Sequence, residues 1–313
     1  MIDITLENLE PELIQASVAQ PVLLDIWAPW CGPCKQLGPV LEKLETAYAG
    51  RFRLAKLNSD EQPEISSQLS QAFGVRSIPF CVMFIGGQPV DGFVGALPEA
   101  EIRAFLDKHV PGADEVAAAE EAEAAAELEA EGDDEAALAK LGEALAIDPA
   151  NDALRADVVK RLLDADRLDD ARRTFEVLAP KVPFDARAAA LGHYLAALTA
   201  APSARSADAL AAAIATNKRD FEARFELAQR LFAGREFSAA MDELLEIIMR
   251  DKAWNGELAR KTYVAILEVM SKPAPKPKAD AVKGTLELTG RAVVPASDPV
   301  IDQYRRKLSM ALF

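Results

Sequence analysis

Residues 25–35 read Asp-Ile-Trp-Ala-Pro-Trp-Cys-Gly-Pro-Cys-Lys, and this stretch decides the fold of the first part of the chain. It begins inside an apolar run, residues 22–27, that is broken by a single acid, a pattern typical of a strand covered on both faces. After it, apolar residues recur at helical spacing through residues 34–48. The two cysteines therefore stand where a buried strand is followed by the N-terminus of a helix.

The pair Cys31 and Cys34 suits thiol–disulfide exchange. The partial positive charge and free amides of a helix N-terminus favour the Cys31 thiolate, and Cys34 is close enough in sequence to attack a mixed disulfide on Cys31. Pro33 stiffens the turn between them. A zinc site needs further ligands, but the sequence has no second cysteine pair, and His109 and His193 stand far downstream. We therefore predict a redox dithiol with no metal and no cofactor.

Up to about residue 110 the chain alternates strand-like and helix-like segments. A Gly-Gly turn at residues 86–87 joins two strands into a hairpin. The order βαβαββα predicts a mixed sheet with helices on both faces. The predicted strands are residues 22–27, 52–57, 81–85 and 89–94, and the predicted helices are residues 34–48, 65–73 and 99–109.

This part of the chain resembles the thioredoxin family. The matching segments are residues 25–35, 55–60, 73–79 and 93–97. The resemblance implies an α/β thioredoxin fold over residues 1–112 and the activity of a protein disulfide oxidoreductase. The catalytic residues that it implies are Cys31, Cys34, Asp25 and Lys56. The residues implied to shape the site and bind substrate are Trp30, Gly32, Pro33, Ile78 and Pro79.

The same resemblance gives several of these residues a role. Asp25 is the buried acid that takes up and returns the proton of Cys34, and burial is expected to raise its pKa toward neutrality. Lys56 is its charge partner, although a merely structural role for Lys56 stays open. The peptide between residues 78 and 79 is expected to be cis and to face Cys31, where the substrate backbone docks.

The chain departs from the thioredoxin pattern directly after this proline. Thioredoxins usually carry threonine there, whereas this chain has Phe80 followed by Cys81. A bulky aromatic beside the dithiol is expected to alter which partners fit. Cys81 opens a core strand, which favours a small buried side chain over a second redox cysteine.

Residues 113–270 have a different composition, dominated by alanine, leucine and charged residues at helical spacing. Similar helix-turn-helix segments begin near residues 132, 166 and 234, and a degenerate copy with a shortened second helix spans residues 185–220. The period of about 34 residues resembles the tetratricopeptide (TPR) repeat and predicts an all-α array. The acidic run 114–135 is interpreted as a solvated helix face, with attraction of basic clients as the alternative.

Two segments follow the repeats. Residues 271–298 contain a Pro/Lys tract and are predicted to be a linker or insertion. Residues 299–313 are predicted to form a short helix, whose apolar residues Ile301, Tyr304, Leu308 and Leu312 recur at helical spacing. This helix is either a cap on the last repeat or a ligand for a groove on a partner, and the sequence leaves both open.

Charge and hydropathy narrow the function classes. A formal net charge of −15 disfavours nucleic acid as a partner. No apolar stretch approaches the length of a membrane span, so no membrane role is expected. The first residues lack the basic and apolar regions of a secretory signal peptide, and the lone Cys-x-x-Cys pair suits a reducing compartment, so we expect a cytoplasmic protein.

The whole chain resembles the bacterial chaperedoxin family (CnoX/YbbN), an N-terminal thioredoxin domain fused to TPR-like repeats. The most specific segments are residues 88–93, 260–262 and 304–308. The resemblance implies a cytoplasmic holdase that binds unfolded or oxidised clients without ATP and passes them to Hsp70 and a GroEL-type chaperonin. It places docking on the chaperonin in the terminal helix, at Tyr304, Arg305, Leu308 and Leu312.

This chain departs from the family at Ser59 and in residues 272–298, which are interpreted as an insertion that loosens the placement of the terminal helix. Some members lack the first active-site cysteine, whereas this chain has both. A cysteine with which some members trap clients is here Ser59, so a mixed disulfide with a client is expected on Cys31, and less readily on Cys81. Two alternatives stay open, a dedicated reductase whose repeats recruit one partner and a non-catalytic chaperonin adaptor. A thioredoxin reductase or the glutathione system is the expected source of electrons for the dithiol.

Overall fold

The computed structural model describes residues 2–271 and 298–312. They form two compact units, residues 2–116 and residues 117–271 with 298–312. Apart from residues 271 and 298, the predicted linker lies outside the described residues. No helix in the described ranges is long and apolar enough to cross a membrane.

The first unit contains a five-stranded sheet. Its strands are β1 (Ile2–Asp3), β2 (Val22–Trp27), β3 (Arg53–Asn58), β4 (Phe80–Ile85) and β5 (Gln88–Val94), in the order β1-β3-β2-β4-β5. The first three strands are parallel to one another, whereas β4 runs antiparallel to both of its neighbours. The predicted mixed sheet of the thioredoxin fold is therefore confirmed. β1 was not predicted, because its two residues are too few to show a period.

Helices cover both faces of this sheet. They are α1 (Ala16–Ala19), which continues a π-helical segment at Glu10–Gln15, and α2 (Gly32–Ala47), α3 (Pro63–Phe73) and α4 (Glu99–His109). Because side chains alternate along a strand, Leu23 and Met83 face α2 and α4. Leu24 and Val82 lie on the opposite face, in the cluster that includes Ile65 of α3. The middle of β2 is thus shielded from water on both sides.

The second unit is helical, as predicted from the TPR-like periodicity. Its helices are α5 (Ala113–Glu131, which begins in the first unit), α6 (Asp134–Ile147), α7 (Asp152–Asp164), α8 (Leu168–Phe175), α9 (Ala186–Ala200), α10 (Ala207–Thr216), α11 (Phe221–Ala233), α12 (Phe237–Arg250), α13 (Trp254–Met270) and α14 (Pro299–Leu312). Consecutive helices pack together from α6 to α9 and from α10 to α13, and α9 also packs against α11 and α13. The core includes a stacked aromatic pair, Tyr194 and Phe232, with ring centroids 4.9 Å apart.

Polar caps mark the start of several of these helices. The first helices of three successive pairs start after Asn151, Asp185 and Asp220, and each side chain accepts a hydrogen bond from the backbone N–H three residues later. Such a cap satisfies one of the amides that a helix N-terminus leaves unpaired. The near-constant spacing of these caps is the structural basis of the repeat seen in the sequence.

Candidate active site

Cys31 and Cys34 form a disulfide at the N-terminus of α2, with their Cα atoms 5.3 Å apart. Cys31 caps the helix, because its Sγ accepts a hydrogen bond from the Cys34 N–H at 3.2 Å. Gly32 and Pro33 form the first turn of the helix. Both cysteines are buried in this oxidised form, at 3% and 4% exposure. The helix terminus thus directs its free amides toward the sulfur that is expected to become the thiolate.

The surface around the disulfide combines apolar packing with one exposed aromatic. Ile78 packs on the two cysteines, and its peptide bond to Pro79 is cis, as the thioredoxin resemblance implied. Trp30 is 70% exposed beside the cysteines in sequence. Its indole Nε1 donates a hydrogen bond to Asp60 at 3.0 Å, a partner that the sequence analysis did not identify.

Asp25 lies in the middle of β2 and is 1% exposed. In the sheet register it pairs with Lys56 on β3 and with Cys81 on β4. Burial raises its pKa from 3.8 to about 6, because the carboxylate loses water, while the charge of Lys56 and a hydrogen bond from Cys81 oppose this rise. A carboxyl group that titrates near neutrality can both accept and return a proton under physiological conditions.

Lys56 connects Asp25 to the helix that carries the dithiol. Its Nζ forms an ion pair with Oε1 of Glu42 at 2.7 Å, and a Cβ placed on Gly38 would lie 3.7 Å from that nitrogen. Cys34, Gly38 and Glu42 are separated by four residues each, so they share one face of α2. That face covers the side of the sheet on which Asp25 and Lys56 lie. The structure therefore brings the predicted catalytic residues to one side of the sheet, and it adds Glu42 to them.

Phe80 and Cys81 lie on opposite faces of β4. Cys81 is fully buried, as predicted, and its Sγ lies 3.7 Å from Oδ1 of Asp25. Phe80 is 1% exposed and packs edge-on against Phe73, with ring centroids 5.5 Å apart. The expectation that Phe80 alters which partners fit beside the dithiol is therefore wrong, because its ring points into the core on the α3 side of the sheet.

The terminal helix α14 packs on the helical unit. Tyr304 and Leu308, predicted to dock a partner, are buried against that core, whereas Arg305 is exposed and Leu312 is partly buried. Tyr304 is fixed by two hydrogen bonds, since its carbonyl accepts from Tyr263 Oη at 2.8 Å and its own hydroxyl donates to Asp242 at 3.1 Å. In the described residues, α14 thus covers the last helices as a cap does.

Comparison with known proteins agrees with both parts of this architecture. A family model described as thioredoxin matches residues 2–108, and two models described as tetratricopeptide repeat match residues 128–198 and 199–280. Thioredoxin 1 from Nostoc sp. is 41% identical over 107 residues, which cover 34% of this chain and 94% of that protein. The thioredoxin of Chlorobaculum thiosulfatiphilum is 45% identical over 104 residues, which cover 33% of this chain and 91% of that protein. The thioredoxin of Haemophilus influenzae is 44% identical over 90 residues, which cover 29% of this chain and 80% of that protein.

Proposed function

The chain belongs to the thioredoxin family, and on that premise we propose that it is a thiol–disulfide oxidoreductase whose helical unit holds unfolding client proteins without ATP. The observation that carries the proposal is the Cys31–Cys34 disulfide at a helix N-terminus, with a buried acid on the same side of the sheet, in a chain that also carries TPR repeats. The first feature supports redox chemistry, and the second supports recognition of other proteins.

The redox step runs through the two cysteines in sequence. In the reduced protein the Cys31 thiolate attacks a client disulfide, forms a mixed disulfide and releases one client thiolate, which takes up a proton. The Cys34 thiol then gives its proton to the Asp25 carboxylate, and the Cys34 thiolate attacks Cys31. The bond between Cys31 and the client breaks, and the second client thiolate receives the proton from Asp25. Two electrons have then passed from the dithiol to the client disulfide.

Holding of clients is supported by apolar side chains on the surface of the helical unit. Large hydrophobic residues with at least 39% exposure in this unit are Val177, Phe184, Met249, Val264, Val300 and Met310. Unfolding proteins expose apolar segments, and such segments bind to apolar surface. The dithiol is the only cysteine pair in the sequence, so covalent capture of a client is assigned to Cys31.

The proposal includes a cellular setting. The dithiol must be reduced again after each turnover, so we place the protein in a reducing cytoplasm with a thioredoxin reductase or the glutathione system as its electron source. Clients pass onward to Hsp70 and a GroEL-type chaperonin. Because Tyr304 and Leu308 are buried, contact with the chaperonin is assigned to the exposed side of α14, which includes Arg305 and Met310.

A trapping experiment tests the proposal. The Cys34→Ala variant cannot resolve the mixed disulfide, so it retains clients on Cys31, and the matched control is the double variant that also carries Cys31→Ser. We expect many different trapped proteins with the first variant and none with the control. A single abundant partner would favour the alternative of a dedicated reductase, and no trapped protein at all would contradict the redox assignment.

The adaptor alternative has a separate test. Deletion of residues 299–313 removes buried side chains and so confounds docking with folding. The double variant Arg305→Ala, Met310→Ala changes only exposed positions, so the helical unit is expected to keep its melting temperature. Reduced co-purification with the chaperonin supports docking through this side of α14, and unchanged co-purification contradicts it.

A further inference from the structure

Three neighbouring strands place three ionisable side chains in one row across the middle of the sheet. Asp25 of β2 lies opposite Lys56 of β3 and opposite Cys81 of β4. Residues paired in this way project from the same face of the sheet. The row continues to α2, because Lys56 Nζ contacts Glu42 Oε1 at 2.7 Å. In this oxidised form the charged and ionisable groups around the Asp25 carboxyl are therefore Lys56, Glu42 and the Cys81 thiol, and reduction adds the Cys34 thiol of the proposed reaction.

The two sides of this carboxyl differ in chemistry. On the β3 side stands a cation that is shared with Glu42 and keeps 17% of its side-chain surface in contact with water. On the β4 side stands a thiol with no exposed surface, whose Sγ lies 3.7 Å from Asp25 Oδ1. Burial and the neighbouring carboxylate raise the pKa of Cys81 well above its usual range. Cys81 therefore stays a thiol at neutral pH, and a thiol can donate a hydrogen bond to a carboxylate.

We propose that Cys81 is a positioning residue for the redox reaction, because its thiol donates a hydrogen bond that orients and stabilises the Asp25 carboxylate which serves Cys34. The proposal rests on the oxidoreductase function above and adds a residue to it. Cys81 is not among the described side chains that pack with Cys31 and Cys34, whereas its Sγ lies 3.7 Å from Asp25 Oδ1, so its role in the reaction runs through Asp25. Without this donor the carboxylate would have Lys56 as its one favourable partner, and it would hold its proton to higher pH.

Substitutions of similar volume separate this role from simple filling of the core. Cys81→Ser keeps a donor, and a hydroxyl forms a stronger hydrogen bond to a carboxylate than a thiol does. Cys81→Ala has no donor. We expect the titration midpoint of Asp25, measured by carbon-13 NMR of its carboxyl group in the oxidised protein, to fall by about half a pH unit in Cys81→Ser and to rise by about half a unit in Cys81→Ala. If the two variants share one midpoint, the hydrogen bond is not what Cys81 supplies.

The wild-type protein offers a second measurement that requires no substitution. The chain has three cysteines, and Cys31 and Cys34 are joined in the oxidised form, so Cys81 carries its only thiol. The S–H stretching band of this thiol should shift to lower frequency as Asp25 ionises, with a midpoint near the pKa of about 6. A band that stays constant from one unit below to two units above that value would overturn the proposal.

The reductase activity of Cys81→Ser and Cys81→Ala provides a third measurement. The pH dependence of insulin reduction should move to lower pH in Cys81→Ser and to higher pH in Cys81→Ala, in step with the NMR midpoints. If the midpoints of Asp25 move while all three proteins lack reductase activity, the oxidoreductase function fails and the hydrogen bond stands. If the wild-type protein is active and the pH profile stays fixed in both variants, the positioning role fails and the function stands.

Discussion

The two units of this protein bury charge in opposite ways. In the thioredoxin unit the buried charged residue is Asp25, which has a shared cation and a weak thiol donor as partners. In the helical unit it is Arg224, which is 7% exposed. Arg224 forms an ion pair with Glu243, has a second acid, Glu246, at 3.8 Å, and donates to a backbone carbonyl.

The difference indicates what each unit does. A buried charged group with several ion-pair and hydrogen-bond partners stays charged and stabilises the fold. A buried group with too few such partners has a shifted pKa, and a shifted pKa is a common property of groups that transfer protons in active sites. For Asp25 the incomplete compensation is visible as a pKa of about 6. In the helical unit, polar groups such as the Asp185 cap and the Arg224–Glu243 ion pair stabilise the helices around an apolar core.

The largest effect on stability is expected when Arg224 loses its ion-pair partner Glu243. Glu243→Leu leaves a buried guanidinium with only its more distant acid, and it should lower the free energy of unfolding of the helical unit by about 3 kcal/mol. Hydrogen exchange of the α11 and α12 amides measures this loss separately from the thioredoxin unit. The double variant that adds Arg224→Met should recover much of the loss, and a loss of equal size in both would contradict the assignment.

Asp25→Asn is expected to raise the free energy of unfolding, in contrast to Glu243→Leu. Because the folded-state pKa of Asp25 is raised from 3.8 to about 6, ionisation costs folding stability as pH rises through this window. Below pH ~3 both states are protonated and the cost vanishes, whereas above pH ~7 it reaches about 3 kcal/mol, at about 1.4 kcal/mol for each pKa unit. The variant should therefore gain stability relative to wild type with increasing pH.

Urea unfolding of the oxidised protein at several pH values measures this gain. Trp27 and Trp30 report on the thioredoxin unit when the third tryptophan is removed by Trp254→Phe. Glu61→Gln is a matched control, because this side chain is exposed and loses a charge of the same sign. A difference between Asp25→Asn and wild type that does not change with pH would show that Asp25 is not the titrating group.

The smallest effect is expected at a helix cap. The Asp185 carboxylate accepts a hydrogen bond from the Ala188 N–H at 2.7 Å and begins α9. Asp185→Ala should lower the free energy of unfolding of the helical unit by about 1 kcal/mol, and Asp185→Asn should restore most of it. If alanine and asparagine behave alike in hydrogen exchange of α9, this carboxylate does not fix the start of the repeat.

Sequence reasoning identified the elements whose pattern is local. The strand before the dithiol, the helix after it and the helical repeats each follow from the spacing of apolar residues and from the polar residues that begin the helices. The burial of Cys81 also followed from its place at the start of a core strand. β1 and the helical stretch of residues 10–19, which includes α1, were not predicted, and the two residues of β1 are too few to give a periodic signal.

The remaining features depend on how separate elements align. The contact between Cys81 and Asp25 requires the register of β2 against β4, which no local pattern specifies. The incorrect placement of Phe80 has a related cause. Adjacent residues of a strand point to opposite faces, so Phe80, which follows the cis-proline in sequence, can still point away from the dithiol. The same alternation, applied to β4, would have placed Phe80 correctly.

We propose that redox chemistry belongs to the thioredoxin unit and client holding to the helical unit, and one variant tests this separation. Cys31→Ser removes the nucleophilic sulfur and leaves the helical unit unchanged. We predict that the full-length variant reduces insulin at least about a thousandfold more slowly than wild type, because catalysis requires the thiolate. It should still suppress the aggregation of a chemically denatured client as well as wild type does. Loss of both activities together would contradict the account, since holding would then depend on the dithiol.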